Sequence, residues 1–230
     1  MSLAIRAEGR SFLRALDALG EWVLSIALPR VCVGCKELAR PKSALCQTCR
    51  DRCLSESIDP GLPEGMSSLV RGPRLSGPVR RLVHGLKYEG HRAAARDLVE
   101  LVLERSTFEK RTEFVFVPVP LTDARRRERG YNQAQLLAQE LSKRTGIPVA
   151  PKFLLRKRFH GSQTRRSGEE RRDALAGMFG RGRDFDSGRI PILVDDVLTT
   201  GATLSACAAV CLHGGVPEVR GVCMAWAGEA

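Results

Sequence analysis

The stretch Ile192–Thr203, ILVDDVLTTGAT, with Pro191 before it, reads as a buried strand that breaks into two acids and then a turn of small residues. Burying adjacent carboxylates costs far more than a strand returns unless something meets them. Asp195 and Asp196 therefore belong at an exit from the core, facing water, a metal or a ligand. Gly201 permits a tight backbone path, and Thr199, Thr200 and Thr203 offer hydroxyls. The turn feeds a segment, TLSACAAVCLHGG, whose stripe Leu204, Cys207, Ala208, Cys211 predicts a buried helix face. The first N–H groups of such a helix are unpaired and carry partial positive charge, which makes a phosphate cradle. The acids cannot hold that phosphate, because like charges repel. They can accept hydrogen bonds from sugar hydroxyls or hold a divalent metal, and the three chemistries together describe a phosphorylated ribose.

Outward from this stretch, strand-like runs alternate with helical stripes. GPVRRLVHGLK places Val79, Leu82, Val83 and Leu86 on one face, and AAARDLVELVLER reads as a second helix. FVFVPVP is a β-rich run ended by prolines, and NQAQLLAQELSKRTG is a helix closed by Gly146. IPVAPKFLLRK suggests another strand, and VRGVCMAWA the last one. Alternation of this kind implies a parallel sheet with βαβ crossovers, whose ligands bind beyond the carboxyl ends of the strands. Two further features fall there. LTDARRRERG reads as a loop in which Arg125, Arg126, Arg127 and Arg129 follow a strand end, and arginine forks suit the oxygens of a diphosphate. The bland alternative is a solvated basic loop. The long polar stretch Arg158–Arg172 has the character of a lid. Its single histidine, His160, reads more simply as a surface residue than as a general base.

Near the start, Cys32-Val-Gly-Cys35 and Cys46-Gln-Thr-Cys49 form two C-x-x-C knuckles ten residues apart. Four thiolates at that spacing can close around one tetrahedral zinc, and a site with four protein ligands is structural. Cys53, one helical turn beyond Cys49, is a spare that can replace a ligand. Cys223 and the pair Cys207 and Cys211 need only core packing. The first 30 residues carry Glu8, Asp17 and Glu21 within an apolar pattern, unlike a signal peptide, and Phe12, Leu16, Leu19 and Val23 suit an amphipathic helix. No run reaches the roughly 18 apolar residues of a membrane span, so a cytoplasmic protein with reduced thiols is expected. The net charge of +11 favours polyanionic partners, although only seven of the 37 basic residues are lysine, which also suits a bias toward arginine codons. Aromatics at 5% argue against a stacking platform for single-stranded nucleic acid.

ILVDDVLTTGAT resembles the signature of type I phosphoribosyltransferases. GPVRRLVHGLKYEGHR, VPVPLTDARRRERGYNQAQLLAQEL and the cysteine knuckles narrow the resemblance to the ComF family, from about Leu28 to the C-terminus. The resemblance implies an α/β fold with a type I phosphoribosyltransferase-like parallel sheet of about five strands, flanking helices and a small N-terminal zinc module. The residues and the resemblance together divide the chain into an amphipathic helix at 1–30, read from its apolar spacing, a four-cysteine zinc-finger module at 31–54, a linker or hood at 55–77, read from its Gly, Pro and Ser content, and a phosphoribosyltransferase-like domain at 78–230. It implies that Asp195 and Asp196 meet the ribose hydroxyls of 5-phosphoribosyl 1-diphosphate, and that Val197, Thr199, Thr200, Gly201, Ala202 and Thr203 form the loop around the 5-phosphate. Arg125, Arg127 and Arg129 would face the diphosphate, bridged by Mg²⁺, and Gln163 and Arg172 would belong to a lid. The lid departs from the family pattern: the usual Leu position holds Arg or Ser, and Asp173 or Ala174 stands near the usual Asn.

The family is associated with DNA uptake in natural transformation and with glycosyltransferase-type chemistry. Two readings follow: transfer of a phosphoribosyl group to an acceptor, or a non-catalytic module that binds nucleic acid or proteins of the competence machinery. A phosphotransfer site of another class would require a partner lysine on a later strand end, and the last strand has none. Symmetric homodimers are the commonest assembly of such folds.

Overall fold

The computed structural model describes residues 31–55, 61–109, 111–157 and 177–228. The expected N-terminal helix at 1–30, His160 and the lid residues Gln163 and Arg172 lie outside these. Among the described residues, β1 (Ser68–Arg71), β2 (Phe114–Pro118), β5 (Ile190–Leu198) and β6 (Arg220–Trp226) form a four-stranded sheet in the order β1-β6-β5-β2. All three pairings are parallel. A parallel sheet is covered on both faces, so its strands read as continuous apolar runs. β2 is buried along its whole length.

The pleat divides these strands between two cores. Phe114 and Phe116 of β2 and Ile190, Ile192 and Val194 of β5 face one core. That core is closed by α2 (Gly77–Tyr88), α3 (Ala94–Leu103) and α5 (Gln133–Thr145). Val115, Val117 and Leu193 face the other, closed by α6 (Ala202–His213) and a small antiparallel hairpin of β3 (Leu154–Arg156) and β4 (Phe179–Arg181). Cys207, Cys211 and Cys223 are buried in this second core, where desolvation holds their thiols well above the usual range.

Three departures from the sequence reading have local causes. The expected strand in IPVAPKFLLRK is split: Val149 makes a single parallel bridge to Phe116, and the chain pairs again only in the hairpin. Pro148 and Pro151 bracket Val149 and cannot donate to a ladder. The sheet of the described residues therefore has four strands rather than about five. LTDARRRERG is not a loop but holds α4 (Asp123–Arg129), capped by the Thr122 hydroxyl, which accepts from the Arg125 N–H at 3.2 Å, and closed by Gly130 at φ 74°. No residue of α4 is buried, so no apolar stripe announced it. Finally, the Gly/Pro-rich stretch 55–77 contributes β1, an edge strand. Gly72 follows it where a Cβ would lie 1.9 Å from the Met224 carbonyl oxygen, so the close approach to β6 requires glycine.

The cysteine module carries α1 (Gln47–Leu54) and shares the first core through Cys32, Leu45, Cys49 and Cys53. Polar contacts fasten it to α3. Asp97, 1% exposed, accepts from the Ser43 hydroxyl and from the Ala44 N–H at 2.9 Å. Arg50, 4% exposed, pairs with Glu100 at 3.4 Å and with Glu104.

A candidate binding cleft at the carboxyl end of the sheet

Alternation puts the side chains of Asp195 and Asp196 on opposite faces of β5, at the strand's exit from the core. Asp196 is 4% exposed; its Oδ1 lies 2.8 Å from Lys87 Nζ at the end of α2, while its Oδ2 is buried with no hydrogen-bond partner among the described residues. Asp195 is half-buried, and its Oδ1 accepts from the Asp196 N–H at 2.8 Å. Desolvation first, then the Asp196 charge, pushes its pKa up to about 7, against the smaller opposing pulls of that hydrogen bond, Lys87 and Arg125. Both acids line one cleft of about 410 Å³.

The β5–α6 turn forms one wall. Val197, Thr199 and Thr203 line the cleft, whereas Thr200, Gly201 and Ala202 complete the turn beside it. Gly201 has φ 76° and gives α6 no side-chain cap; the Thr200 hydroxyl takes only the Ala202 N–H, at 3.4 Å. Of the following N–H groups of the first turn, that of Ser205 donates to the Gly201 carbonyl at 2.9 Å, and those of Thr203 and Leu204 have no partner among the described residues.

The opposite wall comes from α2, α4 and α5. Arg125 and Arg129 of α4 line the cleft, with Arg80 and Lys87 of α2 and Arg156 of β3. Arg127 and Arg126 are exposed on α4 and do not line it. The cleft thus gathers cations around two acids, one of which ionises only near neutral pH.

The stretch RGYNQ has a structural account. Arg129 lies 5.1 Å over the Tyr88 ring, and the Tyr131 hydroxyl donates to the Leu86 carbonyl. Asn132 caps α5 by accepting from the Ala134 N–H at 3.0 Å and donates through Nδ2 to the Val119 carbonyl at 3.0 Å. These bonds tie the end of α2 to the end of β2. The sequence reading gave Tyr88 and Arg156 no place in the site, and it held Lys87 and Gln133 only within longer stretches, the hood and the RGYNQ motif, without an individual role. Lys87 offered a faint signal, a lysine in a chain that overwhelmingly uses arginine.

Beside the start of α2, Cys32, Cys35, Cys46 and Cys49 converge, with all four sulfurs within 4.8 Å of one another. A tetrahedral zinc with bonds near 2.3 Å needs sulfurs about 3.8 Å apart, so the cluster fits that ion. Gly34 and Cys49 point their N–H groups at Cys32 Sγ (3.3 Å) and Cys46 Sγ (3.4 Å). Burial opposes ionisation of Cys32, but the N–H groups around it prevail and lower its pKa to about 7. Cys53 is 5% exposed and packs in the core; it is not among the four convergent sulfurs.

The fold and site define an α/β protein with a ligand cleft at a parallel sheet's carboxyl end and a four-cysteine module fit to hold a metal. No protein-family model matches the chain. It is 30% identical over 222 residues to the DNA utilization protein YhgH of Escherichia coli O157:H7, covering 90% of this chain and 92% of that one. It is 32% identical over 151 residues to competence protein F of Haemophilus influenzae, covering 62% of this chain and 66% of that one. Against competence protein ComFC of Bacillus subtilis the identity is 34% over 113 residues, 48% of this chain and 44% of that one. The chain belongs to the ComF family, with YhgH and competence protein F. A solved structure of the allosteric regulatory enzyme of purine biosynthesis superposes with a TM-score of 0.42 at 18% identity, over 62% of this chain and 30% of that one.

Proposed function

We propose that the chain binds 5-phosphoribosyl 1-diphosphate with Mg²⁺ in this cleft and transfers the phosphoribosyl group to an acceptor. The observation that carries the reading is Asp196 Oδ2, a buried acceptor left without a partner among the described residues, beside Asp195 and across from an uncapped helix start. A buried polar atom is normally satisfied, and one left open at a cleft points to a ligand. The first turn of α6, with Thr199 and Thr203, takes the 5-phosphate. Asp195 and Asp196 accept from the ribose hydroxyls, and Arg125 and Arg129 meet the diphosphate. Mg²⁺ would neutralise charge on the leaving diphosphate. In the transfer, an acceptor lone pair forms the bond to C1, the C1–O bond breaks, and its electron pair leaves on the diphosphate. The sugar gains cationic character, which positioning and the acids' charge stabilise.

Titrating 5-phosphoribosyl 1-diphosphate and Mg²⁺ into the wild type and the Asp195→Asn/Asp196→Asn double variant by calorimetry tests the reading. Binding to the wild type that the double variant loses supports it. No binding to the wild type ends it.

A second reading is a nucleic-acid-binding role, favoured by the exposed Arg126 and Arg127 outside the cleft and by the name of the DNA utilization relatives. It predicts a DNA affinity that falls steeply with salt and ignores Asp195→Asn. A salt-independent signal would remove it.

A further inference from the structure

The Asp196 side chain is 6% exposed, and the Lys87 ammonium 2.8 Å from its Oδ1 is 20% exposed. Lys87 lines the same cleft. Whatever reaches Asp196 from the cleft, a hydroxyl or a cation, therefore competes with this ammonium for the carboxylate.

The two ends of Lys87 are held differently. Its backbone follows Leu86, which is buried and whose carbonyl accepts from the Tyr131 hydroxyl, so the stem starts from a fixed point. Its head is a point charge on a flexible four-carbon chain. The other basic residues of the cleft with a fixed charge, Arg80, Arg125, Arg129 and Arg156, are all arginines. An arginine fork grips both oxygens of a carboxylate at once. Asp196 Oδ2 has no partner among the described residues, so a guanidinium at position 87 would have a second oxygen to hold. A lysine holds one oxygen and can release it.

Charge says what the ammonium achieves. Adjacent carboxylates attract hard divalent cations. With Lys87 on Asp196 and four guanidiniums around the cleft, a bare cation meets net repulsion. A metal that arrives on a diphosphate brings its own negative charge and does not.

We propose that Lys87 is a resident counter-ion that selects for the metal–diphosphate complex over free metal. Its ammonium neutralises Asp196 in the free chain, keeps bare divalent cations off the acid, and yields the acid to the ribose when the donor arrives. The last step rests on the donor reading; the exclusion of free metal does not. Lys87 is a positioning residue in this account, acting through Asp196.

The test uses the zinc-loaded full chain at pH 8, where Asp195 is ionised, with Mn²⁺ as the probe followed by its electron paramagnetic resonance. Thiolates prefer zinc to Mn²⁺, so the cysteine cluster does not take the probe. Lys87→Met should bind Mn²⁺ at least about tenfold more tightly than the wild type, and Lys87→Met/Asp196→Asn should lose that gain. Adding Mn²⁺ should raise the melting temperature of Lys87→Met and leave the wild type unmoved. Lys87→Gln, which keeps a donor to the acid, serves as the neutral variant if Lys87→Met does not fold. Lys87→Arg should exclude Mn²⁺ like the wild type yet bind 5-phosphoribosyl 1-diphosphate with Mg²⁺ about tenfold more weakly, because the fork does not release the acid. A merely structural ion pair would tolerate arginine and would not change the response to free metal. No gain in Mn²⁺ affinity in the neutral variant overturns the inference, as does a gain that survives Asp196→Asn. Lys87→Arg binding the donor as well as the wild type removes the release step. If the donor fails to bind the wild type, the donor reading falls alone, and the Mn²⁺ titrations decide the counter-ion: a gain located at Asp196 keeps it, and none removes it.

Discussion

Asp196 and Lys87 are the residue pair on which the cleft depends. The acid is almost wholly enclosed, and the ammonium 2.8 Å away is its one charge partner among the described residues. Removing one member of a buried pair leaves an uncompensated charge, which costs about 3–5 kcal/mol. Lys87→Met should therefore lower the denaturant midpoint clearly, while Lys87→Met/Asp196→Asn should recover most of that loss. Additive losses in the double variant would mean that the two side chains do not act as a pair. Asp195 carries the pH dependence. Its proton is held up to about pH 7 in the folded protein and released near pH 4 in the unfolded chain. Between these values the native state binds more protons, so stability should fall as pH rises from about 4 to about 7 and level off above. Asp97 is raised by burial in the same direction. Asp195→Asn should flatten part of the slope and raise the melting temperature at pH 8 by a few degrees, on the scale of about 2–4 °C per kcal/mol. Unchanged melting curves from pH 5 to pH 8 in both proteins would contradict this account. Donor and Mg²⁺ binding should in turn weaken below pH 7, where the acid is neutral.

Among the elements, the junction of β2, α4 and α5 positions the cleft, and it does so through caps. Thr122 and Gly130 bound α4, and Asn132 both starts α5 and reaches back to Val119. An N-cap is worth about 1 kcal/mol, and the Val119 bond adds to it. Asn132→Ala should cost roughly 1–2 kcal/mol in a denaturant titration and weaken donor binding by displacing Arg129. Asn132→Asp keeps the cap and loses only the bond to Val119, so it should fall between. These caps were present in the sequence, but α4 has no buried side, so its residues read as a loop. The strand in IPVAPKFLLRK failed for the opposite reason: its apolar pattern was real, but prolines denied it a ladder.

For the molecule as a whole, the cysteine module is part of the main core rather than an appendage. Cys32, Leu45, Cys49 and Cys53 pack in the same cluster as Leu82 and Leu86 of α2, the helix that ends in Lys87 and Tyr88. Stripping metal from the four thiols should therefore lower the melting temperature of the entire chain in one transition and weaken donor binding, although the cleft itself holds no cysteine. Separate unfolding of the module, with the cleft unaffected, would show that the shared core does not couple them. Cys53→Ala should leave metal content unchanged, because its sulfur is not among the four that converge.

The sequence alone determined the four-cysteine cluster, the alternation of strands and helices, and the acids at the end of β5, because each is written in local spacing. Short-range periodicity and ligand chemistry do not require knowledge of the rest of the chain. The tertiary structure decided the other wall of the cleft. Lys87, Gln133 and Arg156 come from three separate elements, and only packing across the sheet brings them to the two acids. It also decided which acid is paired and which is held near neutrality, because the burial of Asp195 and the ammonium of Lys87 beside Asp196 come only from packing across the sheet.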